Sequence, residues 1–221
     1  MSGEEPIPFD QAVWQVCSTD GRAAVQQGFE PEHVSGYSDK FLIQMLTLPS
    51  FTSEIGWQIY QRDPVIYRRH PIENGGKPRF IGCRTQWLQE EDVKRFSSPV
   101  ESLQYLNRLA PTLGFQTVEL DSDWLQNKLT EFRAISIAPF VESNTFGLDG
   151  ERYEIVQKGS MSQSHFGWWG EGPDEWQPLT TIVFAMLEEL EDTHAYDAAT
   201  ESGDESVPFD QVIKEIEQRR K

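Results

Sequence analysis

An α+β fold is predicted by three observations. Residues from Gly56 to Leu88 alternate between apolar and polar types and are punctuated by turn signals; capped amphipathic helices follow; and a strand pair between Glu151 and Trp169 leads into a strongly periodic helix. The expected architecture is an antiparallel sheet, a three-stranded meander plus a later hairpin, packed by amphipathic helices.

"PFDQAVWQVCSTDGRAAVQQGF" has helix-compatible spacing at Phe9, Val13, Trp14 and Val16, with a break expected near Asp20 and Gly21. "DKFLIQMLTL" (39–48) is an apolar run whose period fits neither helix nor strand uniquely. The meander begins at "GWQIYQ", where Trp57 and Ile59 alternate with Gln58 and Tyr60. It turns at Asp63-Pro64, runs through "VIYRRH" to Pro71, reverses in "ENGGKP" and returns along "RFIGCRTQWL".

Helices are expected at Gln89–Phe96 and in "SPVESLQYLNRLA", where Val100, Leu103, Leu106 and Leu109 form a stripe behind a Ser98 or Pro99 start. "FQTVELD" reads as a short strand. "DSDWLQNKLTEF" is a helix capped by Asp121 or Ser122, with Trp124, Leu125, Leu129 and Phe132 on its buried face. "RAISIAPF" stays open. Strands follow at 151–157 and 163–169. Leu179, Ile182, Val183, Met186, Leu187 and Leu190 then define the clearest helix, with Pro178 in its first turn.

Composition shifts after Leu190. Residues 191–206 hold six acids, no Lys or Arg and no aliphatic side chain larger than alanine, which predicts a flexible acidic linker between a single domain (1–190) and a tail helix (207–221). That tail has Phe209, Val212, Ile213 and Ile216 on one face and Arg219, Arg220 and Lys221 at its end, where cations favour the helix dipole. Alone it is too short to be stable, so it either docks on its own domain or meets a partner.

The formal charge of −17 disfavours nucleic acid and anionic membrane and favours a basic protein partner. The N-terminus opens with acids and no apolar stretch approaches a membrane span of about 20 residues, so a cytoplasmic location is expected. Two distant cysteines, Cys17 and Cys83, exclude a disulfide scaffold and argue against structural zinc; no metal or cofactor is expected. Glu191 and His194 have metal-ligand spacing but no matching ligand helix, and read as a solvated helix end.

No P-loop, G-x-G-x-x-G or G-x-S-x-G stretch is present, and neither cysteine has a catalytic flanking signature. The sequence therefore speaks against an enzyme. Between Arg62 and Arg84, six basic residues stand against Asp63 and Glu73. Arg68, Arg69, His70, Arg79 and Arg84 are candidates for a basic binding face, or else pair across strands with the chain's many carboxylates.

"HFGWWGEGPDEWQPL" (165–179) is the densest aromatic stretch. Trp168 and Trp169 are adjacent on a strand and so point to opposite faces, and Trp176 precedes the last helix as a hydrophobic staple would. They serve either as a structural corner or as partner anchors.

"GLDGERYEIVQ…HFGWWGEGPDEWQPL" resembles the C-terminal signature of a family of small uncharacterised bacterial proteins, on Asp149, Gly150, Tyr153, Trp168, Trp169, Pro173, Trp176, Pro178 and Leu179. Some members of that family look like immunity proteins that neutralise a toxin. "ESVPFDQVIKEIEQRR" is similar to antitoxin tails, in which an acidic linker leads to a short helix. The resemblance implies a protein-interaction module of immunity or antitoxin type, binding a basic partner such as a toxin through Trp168, Trp169, Trp176 and the tail residues Phe209, Val212, Ile213 and Ile216. A small hydrolase or metal-dependent enzyme, and a self-associating structural protein, are the alternatives.

Overall fold

The structure, a computed structural model, describes residues 11–35, 37–50, 52–64, 78–97, 110–139, 141, 150–158 and 162–201. The predicted strand "VIYRRH", the helix in "SPVESLQYLNRLA" and the tail helix, with Arg68, Arg69, His70, Phe209, Val212, Ile213 and Ile216, lie outside the described residues. The chain divides into two compact units, Met1–Ser122 with Glu142–Pro173 and Asp123–Val141 with Asp174–Lys221.

The first unit is an α+β fold built on a six-stranded antiparallel sheet. Its elements are α1 (Gln11–Gln27), β1 (Tyr37–Pro49), β2 (Ile55–Pro64), β3 (Arg79–Trp87), α2 (Gln89–Ser97), β4 (Leu113–Leu120), β5 (Glu151–Lys158) and β6 (Gln163–Trp169). The strand order is β4-β3-β2-β1-β5-β6. β1 to β4 form a meander, and the β5–β6 hairpin adds to the free edge of β1. β2 pairs directly with β3, Ile59 opposite Gly82.

The ambiguous run 39–48 is the central strand β1. It is flanked by β2 and β5 and buried from Leu42 to Leu46, so no polar face interrupts the apolar text. A register shift between Phe41 and Ile43 further breaks its alternation.

α1 lies on one face of the sheet, where Val25 joins Leu46, Leu48 and Trp87 in a buried cluster flanked by Trp14 and Leu113. The helix does not break at Gly21. A Cβ there would sit 2.6 Å from the Trp87 ring, so glycine is what lets the helix approach the indole. α1 ends at Gly28, whose φ of 64° closes the last turn with an N–H bond to Ala24 O at 2.8 Å. The opposite sheet face is buried along Ile43, Met45, Trp57, Ile59, Phe80, Val118 and Ile155.

The second unit contains α3 (Ser122–Ala134), a 3₁₀ turn (Asp174–Trp176) and α4 (Gln177–Glu201). The periodic residues Leu179, Ile182, Val183, Met186, Leu187 and Leu190 are all buried, as are Leu125 and Leu129 of α3. α4 continues eleven residues past Leu190 to Glu201, through most of the predicted linker. Low hydrophobicity argued for a coil there, yet the segment is rich in alanine and acids that extend a helix already nucleated upstream.

Candidate functional site

Among the described residues of the first unit, a concavity lies between the segment after α1 and the sheet. Gly28 redirects the chain, and the segment is held down by polar side chains of β2 and β1. Gln58 donates to Gln27 O at 2.7 Å, Gln44 to Gln26 O at 2.7 Å, and Arg62 Nη2 to Glu32 O at 2.8 Å. Under it lies a cavity of about 380 Å³, lined among others by Glu30, His33, Tyr37, Asp39, Phe41 and Tyr60.

The pocket joins aromatic surface to carboxylates. The Phe41 and Tyr60 rings meet edge to face, with centroids 5.7 Å apart. Lys158 Nζ stands 5.2 Å from the Phe41 ring centroid, a cation–π contact. Tyr60 donates its hydroxyl to Gln58 Oε1 at 2.9 Å; burial first, then the neighbouring acidic groups Cys83, Glu30 and Asp39, push it up to about 12, so it stays a neutral donor. Asp39 takes a two-pronged ion pair from Arg62, 2.7 Å at each oxygen. Glu30 is exposed at the rim.

Two further polar groups share this face. Glu154, buried on β5, pairs with Arg152 at 2.8 Å and with His165 Nε2 at 3.0 Å. Glu54, 1% exposed, receives Arg22 at 2.7 Å. Its carboxyl is raised by burial above all, with Arg22 opposing and Glu154 adding to the rise.

On α2, Asp92 is fully buried and satisfied. It accepts from Trp87 Nε1 at 2.8 Å, from Thr112 N at 2.9 Å and Oγ1 at 2.6 Å, and pairs with Arg95 at 2.7 Å. Desolvation pushes its carboxyl up, but these donors together outweigh it and hold the group below its usual range. The Cys17 thiol, 3.4 Å from Asp92, is driven to about 12 by burial and then by that carboxylate; Cys83 is raised to about 11, again by burial. Neither is an activated nucleophile at neutral pH. Among the described residues no group of three His, Cys, Asp or Glu side chains is placed to hold a metal ion.

The predicted site residues are dispersed. Trp168 is buried and stacks on Tyr153, while Trp169 is half-buried on the opposite face, so the pleat separates the two rings as the sequence predicts. Trp176, in the second unit, donates to Ala138 O at 2.9 Å. Arg79 and Arg84 do not share a basic face, because five positions along a strand invert the side chain. Arg79 is exposed and paired with Glu119 across the sheet, whereas Arg84 is buried and donates to Gln86 Oε1 at 2.8 Å. The pocket residues Glu30 and His33 escaped sequence reasoning because a connecting segment has no period, and Tyr37 and Asp39 because the polar start of β1 precedes its apolar run. The nearest signal was the mixture of acids and aromatics around Pro31 and Gly36.

No protein-family profile matches the chain, and neither curated proteins nor solved structures give a significant match.

Proposed function

We propose that this protein is an interaction module of immunity or antitoxin type, and that the pocket between the post-α1 segment and the sheet receives an arginine or lysine side chain of a basic protein partner. The observation that carries this reading is the pocket's chemistry: Glu30 at the rim, Tyr37, Phe41 and Tyr60 in the walls, and a volume of about 380 Å³. Carboxylates and aromatic faces both attract a cationic side chain, and their combination in a partly desolvated recess rewards it most. Phe41 already attracts the ammonium of Lys158. The net charge of −17 supports rapid, salt-sensitive capture of a basic protein. The C-terminal resemblance to immunity-type proteins agrees in kind.

A hydrolase is less well supported, since both cysteine thiols are raised and buried. The test is co-expression with the basic products of genes flanking its own, followed by calorimetry at two salt concentrations. Glu30→Lys and Tyr37→Ala should each weaken the complex about tenfold or more, a change of roughly 1.4 kcal/mol. Equal affinity of both variants and the wild type for a bound basic partner would remove the pocket from the interface. Absence of any binding by those products at low salt would count against the module itself.

A further inference from the structure

Hydrogen-bond acceptors around the pocket beneath the post-α1 segment are already engaged by the protein itself. Both Asp39 oxygens face Arg62 at 2.7 Å, and the same guanidinium takes Glu32 O at 2.8 Å. Gln44 and Gln58 hold Gln26 O and Gln27 O, and the Tyr37 N–H takes Val34 O at 3.1 Å. Arg62 also offsets the charge of Asp39. Among the described residues, the Glu30 carboxylate at the rim meets no cation.

Glu30 is exposed, yet the chain on either side of it is anchored. Phe29 packs against the buried cluster of Tyr60, Ile81 and Cys83, and meets the Phe115 ring edge to face with centroids 5.2 Å apart. Pro31 is buried, and its ring fixes its own φ. The rim carboxylate thus stands on a held backbone, so a ligand pays little ordering entropy to meet it. The opposing wall is aromatic: Tyr37, Phe41 and Tyr60 line it, with the Phe41 and Tyr60 ring planes at 83°.

We propose that this pocket selects arginine over lysine, holding a guanidinium between Glu30 and the wall of Tyr37, Phe41 and Tyr60. The inference rests on the reading of the pocket as a receptor for a cationic side chain, and names which cation it takes. A lysine ammonium is compact and strongly hydrated, and its three donors need acceptors in place of the water they lose. Those near this pocket are engaged. A guanidinium is planar and weakly hydrated; it lays its face on aromatic rings and presents a fork of N–H donors to a single carboxylate. A cavity of about 380 Å³ leaves room for that plane and the methylenes behind it. Lys158 agrees with this distinction. Its ammonium reaches the Phe41 ring at 5.2 Å from an exposed position, where water still serves its donors.

The experiment titrates the full chain with three tripeptides, acetyl-Gly-Arg-Gly-amide, its lysine counterpart and its trimethyl-lysine counterpart, and follows the ring resonances of Tyr37, Phe41 and Tyr60 by NMR. The arginine peptide should bind at least about fivefold more tightly than either of the others. Phe41→Leu should weaken the arginine peptide about fivefold and the lysine peptide less than about twofold, closing the gap between them. Tyr37→Leu, at the start of β1, should act in the same direction and serves if the first variant does not fold. Equal or tighter binding of the lysine peptide would overturn the selection while leaving the pocket a cation receptor. Trimethyl-lysine matching arginine would overturn it too, because the rings alone would then decide and the fork to Glu30 would count for nothing. If none of the three peptides shifts these resonances at about 20 mM, the cation-receptor reading itself fails, and the selection with it.

Discussion

Trp87 donates its indole N–H to the fully buried carboxylate of Asp92 at 2.8 Å, and the same ring is the surface against which Gly21 brings α1. One tryptophan thus joins the α1 packing surface to a polar centre that fixes α2 and the start of β4. That centre is structural: Trp87 at the end of β3, Thr112 just before β4 and Arg95 one turn along α2 together satisfy a charge that would otherwise be expensive to bury.

Asp92→Ala should therefore cost about 3 kcal/mol or more in urea unfolding, because it strands the donors of Trp87, Thr112 and Arg95. The pH dependence follows from the sign of the shift. The folded carboxyl lies below its ordinary 3.8, so its stabilisation is present above that value and lost as pH falls through the lower folded one. Asp92→Asn should flatten this acid limb. A variant that keeps the wild-type acid profile would show that Asp92 is not its source.

Gly21→Ala presents opposing effects. Alanine favours a helix by up to about 1 kcal/mol over glycine, but the added Cβ meets the Trp87 ring at 2.6 Å. The ring is itself held by Asp92, so overpacking should win, with a net loss of about 1–2 kcal/mol and a shift in tryptophan emission. Stabilisation by this substitution would mean that the ring gives way freely.

Cys17 and Cys83 should be silent toward Ellman's reagent at pH 8 in the folded protein and both react in guanidinium. Their thiols are buried and raised to about 12 and 11. Rapid native labelling of either one would contradict its placement.

Glu54 behaves in the opposite sense to Asp92. Its carboxyl is raised above the ordinary 4.5 by burial, so the stability it contributes is complete below that value and declines as pH rises through the folded value. Glu54→Gln, neutral throughout, should gain on the wild type as pH rises from about 4.5 through the folded value. Urea midpoints across that range decide the matter; a difference constant with pH would assign the whole effect to the lost Arg22 pair.

Elements with a clean period were legible from sequence. The stripe of α4, the amphipathic α3 and the β5–β6 strand pair emerged because burial on one side imposes a repeat of 3.6 or 2 on the text. β1 was not legible, since a central strand buried on both faces erases alternation and the Phe41/Ile43 shift disturbs what remains. The pocket was illegible for a different reason. It joins Glu30 and Tyr37 to Tyr60 across a sheet register, and no local pattern encodes that meeting. Trp168 and Trp169 show the middle case: the pleat told which rings part company, but not which one would be covered.

The β1–β5 seam sets the order of assembly. Met45 faces Ile155, and Ser50 N–H bonds Gly150 O at 3.0 Å, from partners about a hundred positions apart. The meander and the β5–β6 hairpin can each form from sequence neighbours, whereas this seam must first close the intervening loop. Nascent chains will expose an apolar, unpaired edge of β1 until the hairpin emerges. During that interval the central strand of the finished sheet is its most aggregation-prone border.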